Sequence, residues 1–231
     1  MRIAEIFHSI QGEGKLAGVP SVFLRVSGCN LRCTWCDTPY ASWDPQGAEL
    51  GVEEIAGRLL AYDCRHAVLT GGEPMMFKEM PELAGRLRGA GVHVTVETAG
   101  TLWQEMEIDL ASISPKLANS TPHTREGGKF AQIHEKSRIN LAILKTFATS
   151  PRIKDIQWKF VLSDPADLAE IQSLLAQIGG IQPQNVILMP EGTTHEAITE
   201  RGRWIAELCK RQGYRFGPRL HISLYGNVKG T

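Results

Sequence analysis

Neither sign of charge prevails in this sequence: 25 Lys and Arg face 25 Asp and Glu, for a formal net charge of +0. Without a positive excess there is no electrostatic footprint for non-specific nucleic-acid binding and no polybasic membrane anchor. Long apolar runs are missing too. No stretch approaches the roughly 18 consecutive apolar residues of a membrane-crossing helix, and Met1-Arg2-Ile3-Ala4-Glu5-Ile6 offers no apolar signal core. A Pro-rich or Gly/Ser-rich linker, an internal repeat and a break in composition are equally absent, so residues 1–231 read as a single domain. The expectation is a soluble, cytoplasmic chain that partners neither membrane nor nucleic acid. A chain of this length buries roughly 70–75% of its unfolded surface and needs no disulfide or metal to fold. Apolar residues at 42% and charged residues at 22% suit a globular protein rather than a disordered one.

Cysteine is scarce but unevenly placed. Five are present, an odd number that does not suggest a disulfide framework in an unexported chain. Cys64 and Cys209 stand alone and are expected to act as small buried residues. Cys29, Cys33 and Cys36 fall close together, as cysteines do that bind metal or carry chemistry.

Apolar runs alternate with helical patterns along nearly the whole chain. Strands are predicted over 21–26, 66–70, 92–97, 110–114, 156–162 and 185–189, with a last extended stretch at 220–222. Helices are predicted over 52–62, with Ile55, Leu59 and Tyr62 on one face, and over 81–89 and 139–147. Asp164-Pro165 supplies an N-cap and a first-turn proline for a helix ending at Ile178, and Thr193 with Glu196 has capping-box spacing for the last long helix. Residues 119–128 read as a mobile loop. The alternation implies an α/β fold: a mostly parallel sheet, open or curved into a partial β/α barrel, with about six core strands.

The pattern C-x3-C-x2-C at Cys29, Cys33 and Cys36 follows the first of these strands. Three thiolates hold three irons of a four-iron cluster and leave the fourth open to a small molecule, which an electron carrier does not need. A closed zinc site is the weaker reading, since no second C-x2-C or H-x3-H supplies a fourth ligand. Thr70-Gly71-Gly72-Glu73-Pro74 ends the next strand. Together these two motifs resemble those of the radical S-adenosylmethionine enzymes. The resemblance implies a trimmed radical SAM barrel and a [4Fe-4S] cluster whose open iron chelates S-adenosylmethionine. One-electron cleavage would then release a 5′-deoxyadenosyl radical. Gly72 would lie against the S-adenosylmethionine, its missing Cβ allowing close approach.

The flanking residues narrow the likeness. Phe7-His8-Ser9-Ile10-Gln11-Gly12-Glu13-Gly14, Gly18-Val19-Pro20, Phe23-Leu24-Arg25, Cys36-Asp37-Thr38, Ser114-Pro115-Lys116 and Lys159-Phe160-Val161 resemble the 7-carboxy-7-deazaguanine synthase family. That family contracts 6-carboxy-5,6,7,8-tetrahydropterin to 7-carboxy-7-deazaguanine with loss of ammonia, on the way to queuosine and other deazapurines. The resemblance implies Mg²⁺ at Thr38 as a Lewis acid, a reductant protein such as flavodoxin or ferredoxin, and a homodimer. It also places S-adenosylmethionine against Trp35, Cys36, Asp37, Ser114, Pro115 and Lys116. Glu97 could hold the ribose or the pterin, or equally cap the strand end.

The substrate's own chemistry fits named residues. A carboxylated pterin needs a cation, and Arg25 can present a bidentate fork. A lone strand arginine is more often in a structural ion pair, but its position between Gly12 and Cys29 favours the fork. Donors and acceptors along the pterin edge can be answered by Gln11, Glu13 and the backbone at Ile10 and Gly12, and the resemblance implies Thr70 as a further substrate contact. Thr38 could equally cap the following turn, and Trp35 could simply shield the cluster. Met189-Pro190-Glu191 is a weaker cofactor candidate. His8, His66 and His221 are expected as core histidines in strands, and Met75-Met76-Phe77 as packing. The tail 225–231 carries no motif that assigns residues. Two other functions remain open on sequence alone: a radical activase acting on a partner protein, and a non-enzymatic iron–sulfur or zinc module.

Overall fold

The computed structural model describes residues 1–231. Its strands are β1 (Arg2–Ile10), β2 (Pro20–Val26), β3 (Ala48–Glu49), β4 (His66–Gly71), β5 (His93–Thr98), β6 (Ile108–Ile113), β7 (Ile153–Leu162), β8 (Val186–Pro190) and β9 (Arg215–Phe216). The helices are α1 (Pro39–Ser42), α2 (Val52–Leu60), α3 (Met80–Gly89), α4 (Ala131–Ser137), α5 (Leu141–Thr149), α6 (Asp167–Ile178), α7 (His195–Gln212) and α8 (Leu220–Tyr225). All strands belong to one sheet of order β3-β1-β2-β4-β5-β6-β7-β8-β9. From β2 to β9 every pairing is parallel, while β1 pairs antiparallel with both β2 and β3. Six full strands, β2 and β4 to β8, therefore form the parallel core that the alternation foretold, and the sheet stays unclosed.

The period-2 alternation of each strand separates two environments. Outward residues such as Leu24, Leu69, Val96, Ile113, Trp158, Phe160 and Leu188 join one apolar cluster with Ile55 and Leu59 of α2, Leu83 and Leu87 of α3 and Phe147 of α5. Each such side chain contributes about 1.5–3 kcal/mol by leaving water. The inward positions are different in kind. Arg25 pairs across to Thr70, and Ser112 pairs with both Glu97 and Gln157. Thr70, Thr95, Ser112, Gln157 and Lys159 are all buried there. A polar lining inside a curved sheet is a place for a ligand rather than a core.

Several expectations require correction. Residues 220–222 are helical, because α8 folds back across the sheet mouth instead of extending it. β1 had been given no bounds, although His8 was expected in a strand, and α4 had not been anticipated: β1 is an antiparallel addition outside the βα rhythm, and α4 is only seven residues long. Asp164 is not the cap of α6. The helix starts at Asp167, whose Oδ2 accepts from the Ser163 and Asp164 amides, while the proline sits in the preceding turn. Thr194 rather than Thr193 caps α7, accepting from the Ala197 amide at 3.3 Å. α2 stops at Leu60, so Tyr62 is exposed and stacks on His8 at 5.9 Å instead of packing inward. His8 is accordingly exposed, not a core residue, and Met76 is exposed while Met75 is buried. Residues 119–128 contain two short 3-10 turns, and Ser120 is fully buried against His134.

Two residues of the Gly71-Gly72-Glu73-Pro74 segment set the upper rim. A Cβ on Gly72 would collide with the carbonyl oxygens of Gly28 and Ala41, so the glycine makes room for the backbone of the cysteine loop itself. Glu73 is wholly buried and accepts from the Met75 amide at 3.0 Å, the Thr98 hydroxyl at 2.7 Å and the Ala99 amide at 2.9 Å. Burial pushes its carboxyl up in spite of these donors. It ties the end of β4 to the end of β5. Glu73→Ala strands the Met75 and Ala99 amides in a dry place, at an expected cost of about 2–4 kcal/mol. The unfolding midpoint of the apoprotein measures it.

Candidate active site

Two adjoining chambers open at the carboxyl ends of the parallel strands. The larger encloses about 420 Å³ and the smaller about 160 Å³. They share Glu13, Asp37, Thr38, Thr70, Gly71 and Glu97 as a common wall. This is where open α/β sheets place ligands, since strand ends there meet loops rather than helices.

The smaller chamber belongs to the cysteine loop. Cys29, Cys33 and Cys36 all line it, with Trp35, Gly72, Ser114 and Lys116 around them. Neighbouring elements hold the loop rigid. The Trp43 indole donates to Cys33 O at 3.0 Å, the Thr34 amide to Ser120 O at 2.8 Å, and the Arg32 amide to His134 Nδ1 at 3.0 Å. Burial pushes the Cys29 and Cys33 thiols up to about 12, so both stay protonated unless a cation takes them as thiolates. No three His, Cys, Asp or Glu side chains are grouped to hold a single ion. Three soft donors spread around one chamber suit an iron–sulfur cluster, in which each cysteine takes a different iron.

The larger chamber has a different character. Phe7 and Phe23 stack at 4.9 Å with 6° between their planes and form an aromatic floor. Arg25 donates through Nε to Glu5 Oε1 at 2.5 Å, and Tyr40 donates to the same oxygen at 2.6 Å. The two terminal guanidinium nitrogens of Arg25 make no hydrogen bond within the protein. An ion pair therefore orients Arg25 through Nε and leaves its terminal nitrogens without a protein partner. Ile10, Gln11, Gly12 and residues 227–231 complete the lining.

A buried charge network forms the common wall. Lys159 Nζ reaches Glu13 at 2.6 Å and Glu97 at 3.5 Å. Arg219 donates to Glu13 at 3.1 Å, to Gly192 O at 2.5 Å and to Asp37. Burial alone would raise Glu13 and Asp37, but Lys159 and Arg219 outweigh it at Glu13, and Arg219 does so at Asp37. Both carboxyls are held well below their usual range. Thr70 Oγ1 donates to Glu97 at 2.9 Å and Gln11 Nε2 lies 3.4 Å from it, which orients the remaining acid.

The two chambers thus gather the sequence-derived candidates. Ile10, Gln11, Gly12 and Arg25 line the larger one only, and the cysteines, Trp35, Gly72, Ser114 and Lys116 the smaller one only. Pro115 is buried between two lining residues and lines neither. The Ser114 hydroxyl is engaged by Lys116 Nζ at 2.8 Å. Met189 reaches the smaller chamber, whereas Glu191 pairs with Arg201 at 3.2 Å. Lys159 and Arg219 had been given no role. The alternation Gln157, Lys159, Val161 on the inner face of β7 could have pointed to Lys159, but nothing local marks Arg219. His221 is corrected as well: it rides on α8 against Gly12, where a Cβ would strike its ring, and it lines the larger chamber.

Residues 24–119 match the Radical SAM superfamily. Over 99% of this chain and 92% of the relative, the sequence is 46% identical to the 7-carboxy-7-deazaguanine synthase of Halobacterium salinarum. It is 40% identical to that of Rhodopirellula baltica, over 99% of this chain and 88% of the relative. Among solved structures, QueE from Escherichia coli superposes with a TM-score of 0.69 at 25% identity, covering 94% of this chain and 92% of that one.

The contact between α4 and the cysteine loop carries a pH signature. Burial, with Arg138 close by, pushes His134 down to about 4. Below its ordinary value of about 6.5 the unfolded chain takes up a proton that the folded chain refuses. Stability of the apoprotein is therefore expected to fall as pH drops from about 6.5 toward 4 and to level off below. His134→Gln should flatten this part of the curve, measured as unfolding midpoints across that range.

Proposed function

Because this chain belongs to the 7-carboxy-7-deazaguanine synthase family of radical S-adenosylmethionine enzymes, we propose that its larger chamber holds 6-carboxy-5,6,7,8-tetrahydropterin and its smaller one the cofactors. It is a radical enzyme of 7-deazapurine biosynthesis, with a [4Fe-4S] cluster and S-adenosylmethionine as cofactors. Family identity sets aside the activase and the non-enzymatic module. The observation that carries the assignment is the single wall, Glu13 to Glu97, between a three-cysteine chamber and one with a free guanidinium fork.

When bound, the cluster and S-adenosylmethionine supply the one-electron chemistry that begins ring contraction. The chain's own residues do the rest. Arg25 takes the substrate carboxylate in its free fork while Glu5 and Tyr40 keep it from swinging away. Phe7 and Phe23 give the flat ring system an apolar floor. Gln11, Glu97 and Thr70, already linked to one another, answer the polar edge of the pterin. Glu13, kept ionised by Lys159 and Arg219, can accept hydrogen bonds and does not drift neutral on burial. Thr38 lines both chambers, so a Mg²⁺ held by its hydroxyl and by substrate oxygens would sit between substrate and cofactor. Trp35, Asp37, Gly72, Ser114 and Lys116 would border the S-adenosylmethionine.

Radical S-adenosylmethionine enzymes draw on a reductant, here a flavodoxin- or ferredoxin-like protein. A homodimer in the cytoplasm completes the reading; no helix is long and apolar enough to cross a membrane.

Anaerobic reconstitution followed by product analysis tests the proposal. An intact cluster and an active reductant that yield no carboxydeazaguanine from the carboxytetrahydropterin would sink it. Arg25→Gln should raise KM for the pterin by about 10–100-fold with a smaller change in kcat. Thr38→Ala is expected to blunt stimulation by Mg²⁺ while iron and sulfide content stay unchanged. Steady-state kinetics with metal titration checks both.

A further inference from the structure

The three cysteine sulfurs are not equivalently solvated by the protein. Cys29 Sγ accepts the Leu31 amide at 3.4 Å, a long contact within the loop itself. Cys36 Sγ lies 3.1 Å from the hydroxyl of Ser42, the last residue of α1. Ser42 is 3% exposed and lines the smaller chamber. Its other neighbour, Thr38 O, is 3.4 Å away. A thiolate bound to iron has no proton to give, so the Ser42 hydroxyl would be the donor.

We propose that Ser42 is a positioning residue that raises the reduction potential of the cluster through this hydrogen bond to Cys36. Reduction adds negative charge that spreads onto the ligating sulfurs. A donor aimed at one of them stabilises the reduced form more than the oxidised form. Burial of Ser42 strengthens the effect, because water does not compete for its hydroxyl. Placement follows from the sequence: Pro39 opens a single helical turn directly after the cysteine loop, and that turn brings residue 42 back onto residue 36.

The inference rests on assignment of the cluster to Cys29, Cys33 and Cys36, and the experiment separates the two. Wild-type protein, Ser42→Ala and Ser42→Thr are reconstituted anaerobically, assayed for iron and sulfide, and titrated redox-potentiometrically with the reduced cluster read by electron paramagnetic resonance. Ser42→Ala should keep its full cluster and titrate at a more negative potential, so that at the wild-type midpoint the ratio of reduced to oxidised cluster falls about threefold. Ser42→Thr, which keeps the hydroxyl, should titrate close to wild type. An unshifted midpoint in Ser42→Ala overturns the inference, as does an equal shift in Ser42→Thr, which would trace the effect to packing. Loss of iron and sulfide from Ser42→Ala also overturns it, by making the hydroxyl an anchor of the loop. A wild-type protein that binds no cluster refutes the cysteine assignment and this inference with it.

Discussion

Three carboxylates line the common wall between the chambers, and the rest of the site depends on the cations set against them. Glu13, Asp37 and Glu97 come from the turn after β1, the cysteine loop and β5, and nothing in those segments compensates them. Compensation arrives from β7 through Lys159 and from the segment before α8 through Arg219. A buried pair of this kind adds little net stability, because desolvation consumes most of the Coulomb attraction, yet removing one partner costs about 3–5 kcal/mol. The network is therefore better understood as a constraint on geometry than as a source of cohesion. It holds five separate chain segments in one arrangement around two chambers.

The same economy of backbone appears at the Gly71-Gly72-Glu73-Pro74 segment. From chemistry alone, the glycines of such a motif would be reserved for the cofactor. In this fold the space beside Gly72 is already filled by the Gly28 and Ala41 carbonyls, so the absence of a side chain serves contact between strand end and cysteine loop. Glu73 likewise points into protein, stitching β4 to β5. A motif at the rim can thus act on the ligand indirectly, by fixing the loop that carries the ligating groups.

What could be read from the sequence divides along the range of the interactions. The parallel core was legible because alternation in segments such as 22–26 and 157–161 is a local property that reports which face is buried. The cysteine loop was legible because its three cysteines lie within eight residues of one another. Arg219 and His221 were not, since what defines them is contact with Glu13 and Gly12, and the partners of the Arg219–Glu13 pair lie 206 positions apart. α8 was misread as extended for a related reason: its Leu-His-Ile pattern fits either period over three residues, and only docking against the chamber decides. At α7 the capping chemistry is present but carried by the neighbour of the expected residue, whereas α6 begins without a side-chain cap and Asp167 ties down the turn before it.

The separation of Arg219 from its partners also orders events in time. Contacts so distant along the chain demand a large loop closure before they return any stabilisation, so they form late in folding. A chain emerging from the ribosome amino end first presents the cysteine loop and β4 well before residue 219 has been synthesised. During that interval Glu13, Asp37 and Glu97 stand without Lys159 and Arg219, the cations that pair with them in the finished wall.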